Sequence, residues 1–396
     1  MNRRNFIKIL SLLPLYSPIV ASSVKNKKIT VVGAGIIGTC IAYELCKAGI
    51  NVSLIDKGRP ASGTTGSSFN WINATYPKKP YSYNLLSQMG ISAYKELQNK
   101  ITFPILWNGS LEWMDSPNDQ DKLIKEVINL KNYPTHSSHE IINTTEANLY
   151  EPNINFKNNQ NIVFSKSDGA VDVDILISSL IAKIKNYGGN IYSQCEYKDL
   201  IYRNNKLSSI KTSIGDIQSD QVIFACGIHT DSILPISSLN TPTPGVIMKS
   251  KPLSKTINKI IVGPGIHLHQ QIDGKIIFGE QEGAPYNHKD RLKNLPNKFP
   301  SNVFEKQHVD RILNMTKSFV SNIDNVEIEK VSIGWRPLPK DGKPVIGRIK
   351  NLPGTYVAVM HSGISLGPIV GKLVAQEITE NIENIALNDF RPTRFS

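Results

Sequence analysis

The feature that most constrains this chain is a stretch near its start, KITVVGAGIIGTCIAYELCKAGINVSLIDKG. A short β-branched run at residues 29–32 leads into a glycine-rich turn, and apolar residues then recur at helical spacing at Ile37, Ile41 and Leu45. A second apolar run at 52–55 ends at Asp56. Strand, glycine turn, helix and strand in this order predict a βαβ unit with parallel strands.

The turn has the pattern GxGxxG at Gly33, Gly35 and Gly38. We expect Gly33 to permit the tight turn, Gly35 to let backbone amides approach a pyrophosphate, and Gly38 to let the helix close onto the sheet. Asp56 follows the second strand, where a carboxylate can accept the ribose hydroxyls of an adenosine. The alternative is a glycine-rich turn in an unrelated α/β protein, and the motif by itself serves NAD and FAD equally.

The composition is that of an ordinary globular protein, with 40% hydrophobic and 20% charged residues in 396. Half of the net charge of +12 comes from six basic residues that precede the first acidic one, Glu44: Arg3, Arg4, Lys8, Lys25, Lys27 and Lys28. The other lysines are scattered, which argues against a nucleic-acid partner.

Four cysteines, Cys40, Cys46, Cys195 and Cys226, show neither CxxC spacing nor grouping with histidines. We therefore predict no metal site and no disulfide on which the fold depends. After residue 21, no apolar run approaches the roughly 18 to 20 residues that span a bilayer.

Further along, residues 80–150 have a polar, helical character, and VDVDILISSLIAKIKNYGGNIY predicts a capped helix, a Gly188-Gly189 stop and a strand. A meander turning near Asn204-Asn205 and a buried strand QVIFACG follow. Residues 235–330 indicate an antiparallel sheet, and GTYVAVMHSGISLGPIVGKLVAQEI again indicates a strand, a glycine turn and a helix. We predict two interleaved domains, an α/β nucleotide domain and a mixed-sheet domain.

Five segments occur in the order found in FAD-dependent D-amino-acid oxidases and dehydrogenases, glycine oxidase and sarcosine oxidase. They are DKGRPASGTTGSSFNWINA, SDGAVDVDILISSLIAKIKNYGGNIY, SDQVIFACGIHTDSILP, GWRPLPKDGKPVIG and MHSGISLGPIVGKLVAQEI. The chain thus resembles this superfamily from about residue 28 to about residue 380. The resemblance implies an α/β fold with a Rossmann-like FAD-binding domain (28–80, 150–232 and 330–385) and an interleaved mixed or antiparallel substrate domain (81–149 and 233–329).

The resemblance also implies a set of FAD-binding residues. Small hydroxylated residues after the second strand suit a loop around the flavin pyrophosphate, Ala225 and Gly227 suit a strand end beside the flavin, and the 363–365 backbone suits its pyrimidine end. The full set is Gly33, Gly35, Ile36, Ile37, Gly38, Asp56, Lys57, Ser62, Thr64, Thr65, Ser67, Ser68, Ala225, Gly227, Gly363, Ile364 and Ser365. A helix expected to begin near Leu366 would aim its positive end at the flavin N1–C2=O region.

Arg336 in GWRPLPKDGKPVIG corresponds to the carboxylate-binding arginine of glycine-oxidase relatives, and its guanidinium can hold a substrate carboxylate in a two-pronged geometry. The alternative is an arginine paired with a structural acid. His361 is a candidate flavin or substrate neighbour. Family members often have a second arginine after this histidine, where this chain has Ser362. We expect Trp335 to pack and His229 to be structural.

These residues predict hydride transfer from the Cα–H of a D-amino acid, glycine or an N-methyl amino acid such as sarcosine to FAD, with no general base assigned. The alternatives are oxidation of a 2-hydroxy acid or another small molecule on the same fold, and a flavin-binding protein without activity. The electron acceptor is left open between oxygen, a quinone and a soluble carrier.

The first 23 residues predict a twin-arginine export signal. Arg3-Arg4, Phe6 and Lys8 precede an apolar stretch at 9–20 and small residues at 21–23. We expect the twin-arginine machinery as a partner and the bacterial periplasm as the destination, in soluble or membrane-associated form. The alternative is a ragged basic terminus or an uncleaved anchor.

Overall fold

The computed structural model describes residues 27–76, 78–157, 160–280 and 294–395. The predicted export signal lies outside these residues and stays a prediction. Within them, no helix has both the length and the apolar character needed to cross a bilayer.

The strands are, in chain order, β1 Lys28–Val32, β2 Asn51–Ile55, β3 Trp71–Ile72, β4 Ile105–Leu106, β5 Ser110–Glu112, β6 His139–Ile142, β7 Ile162–Ser165, β8 Gly169–Val171, β9 Asn190–Tyr192, β10 Tyr197–Arg203, β11 Lys206–Thr212, β12 Gly215–Gln218, β13 Gln221–Phe224, β14 Thr243–Ser250, β15 Ile260–Gly263, β16 Ile266–Gln270, β17 Ile276–Glu280, β18 Ile328–Arg336, β19 Val345–Arg348 and β20 Thr355–Val359. The α-helices are α1 Ile36–Lys47, α2 Tyr81–Gln98, α3 Pro117–Asn129, α4 Thr144–Tyr150, α5 Val173–Asn186, α6 Thr230–Ile233, α7 Asn302–Lys317 and α8 Gly363–Glu380.

The first sheet confirms the predicted βαβ unit. Its six strands have the order β19-β20-β13-β1-β2-β9, and all neighbours are parallel except β19 and β20. Strands β1 and β2 are buried over most of their length, and most of their residues are apolar, as is usual for the interior strands of a parallel sheet. Helices α1, α2, α5 and α8 contribute to the apolar core over this sheet.

The second large sheet confirms the predicted antiparallel region. Its eight strands have the order β18-β14-β17-β16-β15-β5-β7-β6, and only β15 and β5 are parallel neighbours. Helix α7 packs its buried Ile312 into the core of this sheet. Two small antiparallel sheets, β10-β11-β12 and β3-β8-β4, complete the described part of the fold.

The structure also confirms two local predictions, the capped helix with its glycine stop and the turn near Asn204-Asn205. Asp172 accepts hydrogen bonds from the amides of Asp174 and Ile175 at the start of α5, and Gly188 follows its end with φ +84°. Asn204 and Asn205 join β10 to β11 with φ of 50° and 58°, the left-handed backbone of a tight hairpin turn.

The expectation that residues 80–150 are helical was wrong in part. Strands β4, β5 and β6 lie there, and β5 is an interior strand of the eight-stranded sheet. The strand conformation of β5 depends on its pairing with β7 and β15, and both of these strands are distant in sequence. The expected helix near Leu366 begins earlier, at Gly363.

The division into two interleaved domains stays a prediction. Strand β7, placed by sequence in the FAD-binding segments, pairs within the eight-stranded sheet. Helix α2, placed in the substrate segments, joins the apolar core of the six-stranded sheet. The free thiols of Cys40, Cys46 and Cys195 are buried, and that of Cys226 is partly buried.

Candidate active site

A cavity of about 850 Å³ lies at the carboxyl ends of the parallel strands. Its lining includes Gly33 after β1, Asp56 after β2, Ala225 after β13 and Met360 after β20. Ligands of doubly wound sheets bind at this edge, and a volume of roughly 300 to 1,000 Å³ is usual for cofactor sites. The cavity therefore has the position and the size of a cofactor site.

The glycine turn brings bare backbone to the cavity wall. A Cβ on Gly33, where φ is +104°, would lie 2.4 Å from the carbonyl oxygen of Ala225, and one on Gly38 would lie 1.9 Å from the carbonyl oxygen of Gly33. Helix α1 starts at Ile36, with no acidic residue in its first turn. The positive end of its dipole therefore faces the cavity with no carboxylate in the helix's own first turn.

Asp56 connects the glycine turn to the end of β2. Its Oδ2 atom accepts a hydrogen bond of 2.7 Å from the Ala34 amide, and its Oδ1 atom accepts one of 2.7 Å from the Gly58 amide. Each carboxylate oxygen has two lone pairs, so both oxygens retain acceptor capacity for a ligand hydroxyl.

Two further polar residues line the same end of the cavity. The Lys57 ammonium lies 3.0 Å from Nε2 of His229. Burial, followed by the charge of Lys57, lowers the pKa of His229, so its neutral ring accepts this hydrogen bond. His229 also lines the cavity, and its role as a structural or surface histidine stays a prediction.

The hydroxyl-rich loop at 62–68 passes along the cavity. Ser62, Thr64, Thr65 and Ser68 line it. Thr65 Oγ1 accepts a 3.0 Å hydrogen bond from the Ile36 amide, and Thr64 Oγ1 donates one of 2.7 Å to the carbonyl of Trp335. These two hydroxyls connect the loop to the start of α1 and to β18.

At the other end of the cavity, the start of α8 carries His361, Gly363 and Ile364. Tyr94 donates a 2.6 Å hydrogen bond to the carbonyl of Ile364. Ser365 Oγ accepts one of 3.1 Å from the Asn73 amide, so it secures the loop after β3. The first turn of α8 has no acidic residue, and its positive end also remains available to a ligand.

Arg336 ends β18 beside this end of the cavity. Its guanidinium lies against Gly245 and makes a long, 3.4 Å contact with the carbonyl oxygen of Glu280. Within the described ranges no carboxylate pairs with it at salt-bridge distance. Its neighbours Trp335 and Pro337 line the cavity. The alternative of an arginine neutralised by a structural acid therefore loses support.

Three histidines near this end are neutral at pH 7. Burial, then Arg336 and then Lys78, lowers the pKa of His361 to about 4; the residue as a whole is nevertheless exposed and lines the cavity. Burial, then Arg336, lowers the pKa of His267 to about 3, and burial lowers that of His269 to about 4. The Phe69 ring packs 4.1 Å from His267 and 4.9 Å from His269, centroid to centroid.

The predicted site residues lie together around the cavity. Those on its wall are Gly33, Gly35, Ile36, Ile37, Asp56, Lys57, Ser62, Thr64, Thr65, Ser68, Ala225, Gly227, His361, Gly363 and Ile364. The remaining four, Gly38, Ser67, Ser365 and Arg336, support that wall or flank it. Ser67, for example, presents its carbonyl to Gly334.

Sequence reasoning missed four residues near the site. Lys78 is a buried cation after β3, His267 and His269 alternate along β16, and Tyr197 lines the cavity from β10. The alternation in IHLHQ places both histidines on one face of a strand, which is the one available signal. Lys78 has no such signal, because its burial depends on contacts across the fold.

The FAD dependent oxidoreductase (DAO) family matches residues 28–377. The chain belongs to this family. Its relatives include glycine oxidase from Pseudomonas aeruginosa, 21% identical over 370 residues that cover 88% of this chain and 94% of the relative. L-proline dehydrogenase from P. horikoshii has a similar structure, with a TM-score of 0.80 and 24% identity over 93% of this chain and 97% of the other. Glycine oxidase from Geobacillus kaustophilus also has a TM-score of 0.80, with 20% identity over 93% and 99%.

The cofactor of this family is FAD, and the cavity fits it. Gly33 and Gly35 leave room for a pyrophosphate at the start of α1, and Asp56 has acceptors for an adenosine ribose. The start of α8 with Ile364 and Met360 offers an amide-rich, apolar wall for the ring system. The protein is therefore an FAD-dependent oxidoreductase. When FAD is bound, Asp56 at the end of β2 would hold the adenosine, and the start of α8 would hold the flavin; we refer to these as the adenosine end and the flavin end of the cavity.

Proposed function

We propose that this flavoprotein oxidises the C–N bond of a small amino acid or an N-methyl amino acid. Bound FAD would supply the acceptor for a hydride from Cα. The substrate would leave as an imine, which water hydrolyses to an oxo acid, or to an aldehyde in some cases, and ammonia or an amine.

The observation that carries this proposal is the state of Arg336. Its guanidinium is half-buried beside the flavin end and has only a long carbonyl contact in the part of the chain that the structure describes. Burial lowers the pKa of this arginine, yet guanidinium groups stay charged at physiological pH. A substrate carboxylate would supply the missing anion through two parallel hydrogen bonds and so fix Cα relative to the cofactor.

The neutral state of His361 also suits this role. A cation at this position would compete with Arg336 for the carboxylate, whereas a neutral imidazole can accept a hydrogen bond from the substrate amine. Hydride loss requires a neutral amine, and the amine lone pair itself assists that step. We assign no general base.

The test is anaerobic mixing of the purified yellow protein with D-amino acids, glycine, sarcosine, proline and 2-hydroxy acids while the flavin absorbance near its visible maximum is followed. Bleaching by an amine supports the proposal. Bleaching by hydroxy acids alone would establish the alternative substrate class, and an unbleached flavin throughout would support a flavin-binding protein without activity. Reoxidation by oxygen, a quinone or a soluble carrier then identifies the electron acceptor.

We also propose export through the twin-arginine route, carried by the sequence of the first 23 residues alone. This route transfers folded proteins, which suits a protein that must bind FAD before crossing. Replacing Arg3 and Arg4 together by lysine should retain the flavoprotein in the cytoplasm of a bacterial host. Equal amounts of the flavoprotein in the periplasm of hosts that produce the wild-type and the variant chain would contradict the proposal.

A further inference from the structure

A proline lies inside helix α8, close to its start. The helix begins at Gly363, and Pro368 lies in its second turn, beyond the first position, where proline is usual. Proline has no amide N–H, so it cannot donate the hydrogen bond that an α-helix directs to the carbonyl of the fourth residue before it. That carbonyl belongs to Ile364, which lines the cavity. The helix itself therefore leaves this carbonyl without its usual donor.

A tyrosine of another helix supplies a donor to the same carbonyl. The Tyr94 hydroxyl on α2 donates a 2.6 Å hydrogen bond to the carbonyl oxygen of Ile364. Tyr94 is fully buried, and burial holds its pKa well above its usual range, so the hydroxyl stays protonated. A carbonyl oxygen can only accept, so the phenol is the donor. The contact thus replaces, from outside α8, the hydrogen bond that Pro368 cannot make.

The two helices approach closely because α2 has a glycine at the contact. A Cβ on Gly90 would overlap the carbonyl oxygen of Ser365. Gly90 and Tyr94 lie about one helical turn apart, so they share a face of α2, and Tyr83 lies further along that face. The Tyr83 hydroxyl donates a 2.8 Å hydrogen bond to Ser362 Oγ. One face of α2 therefore contacts the backbone and side chains at the start of α8.

The start of α8 is part of the cavity wall at the flavin end. His361, Gly363 and Ile364 line the cavity there, and the first turn of the helix has no acidic residue. The free amides at a helix start carry partial positive charge, and their effect falls off within about one turn. A tilt of this turn would therefore change how strongly the wall stabilises negative charge on a bound flavin.

We propose that Tyr94 is a positioning residue for the flavin. By donating to the Ile364 carbonyl in place of Pro368, it holds the first turn of α8 in the orientation in which the amides of that turn face the cofactor. Helix α2, which contributes no residue to the described wall of the cavity, would thereby influence the redox properties of FAD. The inference rests on the FAD site and is independent of the proposed amine oxidation.

The test is the reduction potential of the bound flavin in a double-mutant cycle of Tyr94→Phe and Pro368→Ala. Potentials are measured anaerobically against a reference dye, without an amine substrate. Tyr94→Phe keeps the ring and removes the donor, so the reduced, negatively charged flavin should lose stabilisation. We expect the equilibrium constant for reduction to fall by about 3- to 10-fold, a drop of roughly 15–30 mV for a two-electron couple.

Pro368→Ala tests the compensation directly, because it gives position 368 an N–H that can reach the Ile364 carbonyl. In the wild-type background it should change the potential little, since Tyr94 already serves that carbonyl. In the Tyr94→Phe background it should recover most of the lost potential. A double variant with a potential as low as that of Tyr94→Phe, or an unchanged potential in Tyr94→Phe, would overturn the proposal.

Tyr356→Phe is the matched control. Tyr356 is another buried tyrosine that donates to α8, with its hydroxyl 2.7 Å from Oε2 of Glu377, toward the far end of the helix. Its loss should lower the thermal stability and leave the flavin potential unchanged. Equal drops in potential in Tyr356→Phe and Tyr94→Phe would reveal a general loosening of α8 and would contradict a specific role for Tyr94.

Flavin content decides the case in which Tyr94→Phe alone does not fold. The double variant has a donor for the Ile364 carbonyl within α8, so it should then fold and retain FAD. A double variant that also fails to fold would overturn the inference. Absence of bleaching by every amine would contradict the proposed function alone, because the reduction potential is measured without an amine.

Discussion

The two ends of the FAD cavity are built in different ways. At the adenosine end the wall is mostly backbone, with Gly33, Gly35 and the start of α1, and Asp56 is hydrogen-bonded to neighbouring amides. At the flavin end, ionisable side chains are prominent: half-buried Arg336 ends β18 beside the cavity, and His361, whose pKa is lowered to about 4, lines it. The first end can recognise a constant ligand through shape, and the second can adapt to a substrate through the choice of side chains.

Removing the charge of Arg336 is expected to have the largest effect. Arg336→Met should lower kcat/KM for the best substrate by about 100- to 1,000-fold, because truncating one partner of a buried charge pair costs roughly 2–5 kcal/mol. Flavin content should remain normal, as Arg336 lies outside the adenosine end. Arg348→Met, at an arginine that contacts Asn381 on the surface, is the control and should remain fully active. Normal activity of Arg336→Met would show that Arg336 does not bind the substrate, and the distinction drawn between the two ends would be wrong.

A methyl group at Gly33 tests the adenosine end. Gly33→Ala should weaken FAD binding by about 10- to 100-fold, since the backbone strain alone costs roughly 1–3 kcal/mol and the added Cβ meets the Ala225 carbonyl at 2.4 Å. The ratio of flavin to protein absorbance after dialysis measures this loss, and far-UV circular dichroism checks the fold. A folded variant that retains its full flavin content would refute the role given to this glycine.

The smallest expected effect concerns the loop at 62–68. Thr65→Val removes the acceptor of the Ile36 amide at the start of α1 but keeps the shape of the side chain. One lost hydrogen bond of this kind costs about 1 kcal/mol, so FAD affinity should fall about fivefold. Titration of the apoprotein with FAD measures this affinity. Thr379→Val, at a position far along α8, is the control. An unchanged affinity would show that the hydroxyl does not order the site.

Local sequence predicted the adenosine end well. The GxGxxG pattern, its strand and helix, and Asp56 lie within one continuous stretch, so each conformational requirement can be read from neighbouring residues. The flavin end was predicted only in part. Arg336 and His361 came from a resemblance in segments far apart in the chain, while Lys78, His267 and His269 went unrecognised as site neighbours.

The same limit explains the strands that the sequence did not predict within residues 80–150. Strand β5 has three residues and no distinctive pattern, and it exists because β7 and β15 pair with it. Helix α2, which the sequence placed in the substrate segments, packs over the six-stranded sheet because its buried face meets α8. Neither partner is near in sequence, so propensity and periodicity could not reveal the pairing.

By itself the sequence determined the parallel βαβ unit, its dinucleotide turn and the family to which the chain belongs. Those depend on backbone conformation and apolar periodicity, which are properties of contiguous residues. The tertiary structure alone decided that Lys78 is buried and that Arg336 has no carboxylate partner at salt-bridge distance in the described residues. Burial and electrostatic field arise from all surrounding segments together, and a linear pattern does not contain them.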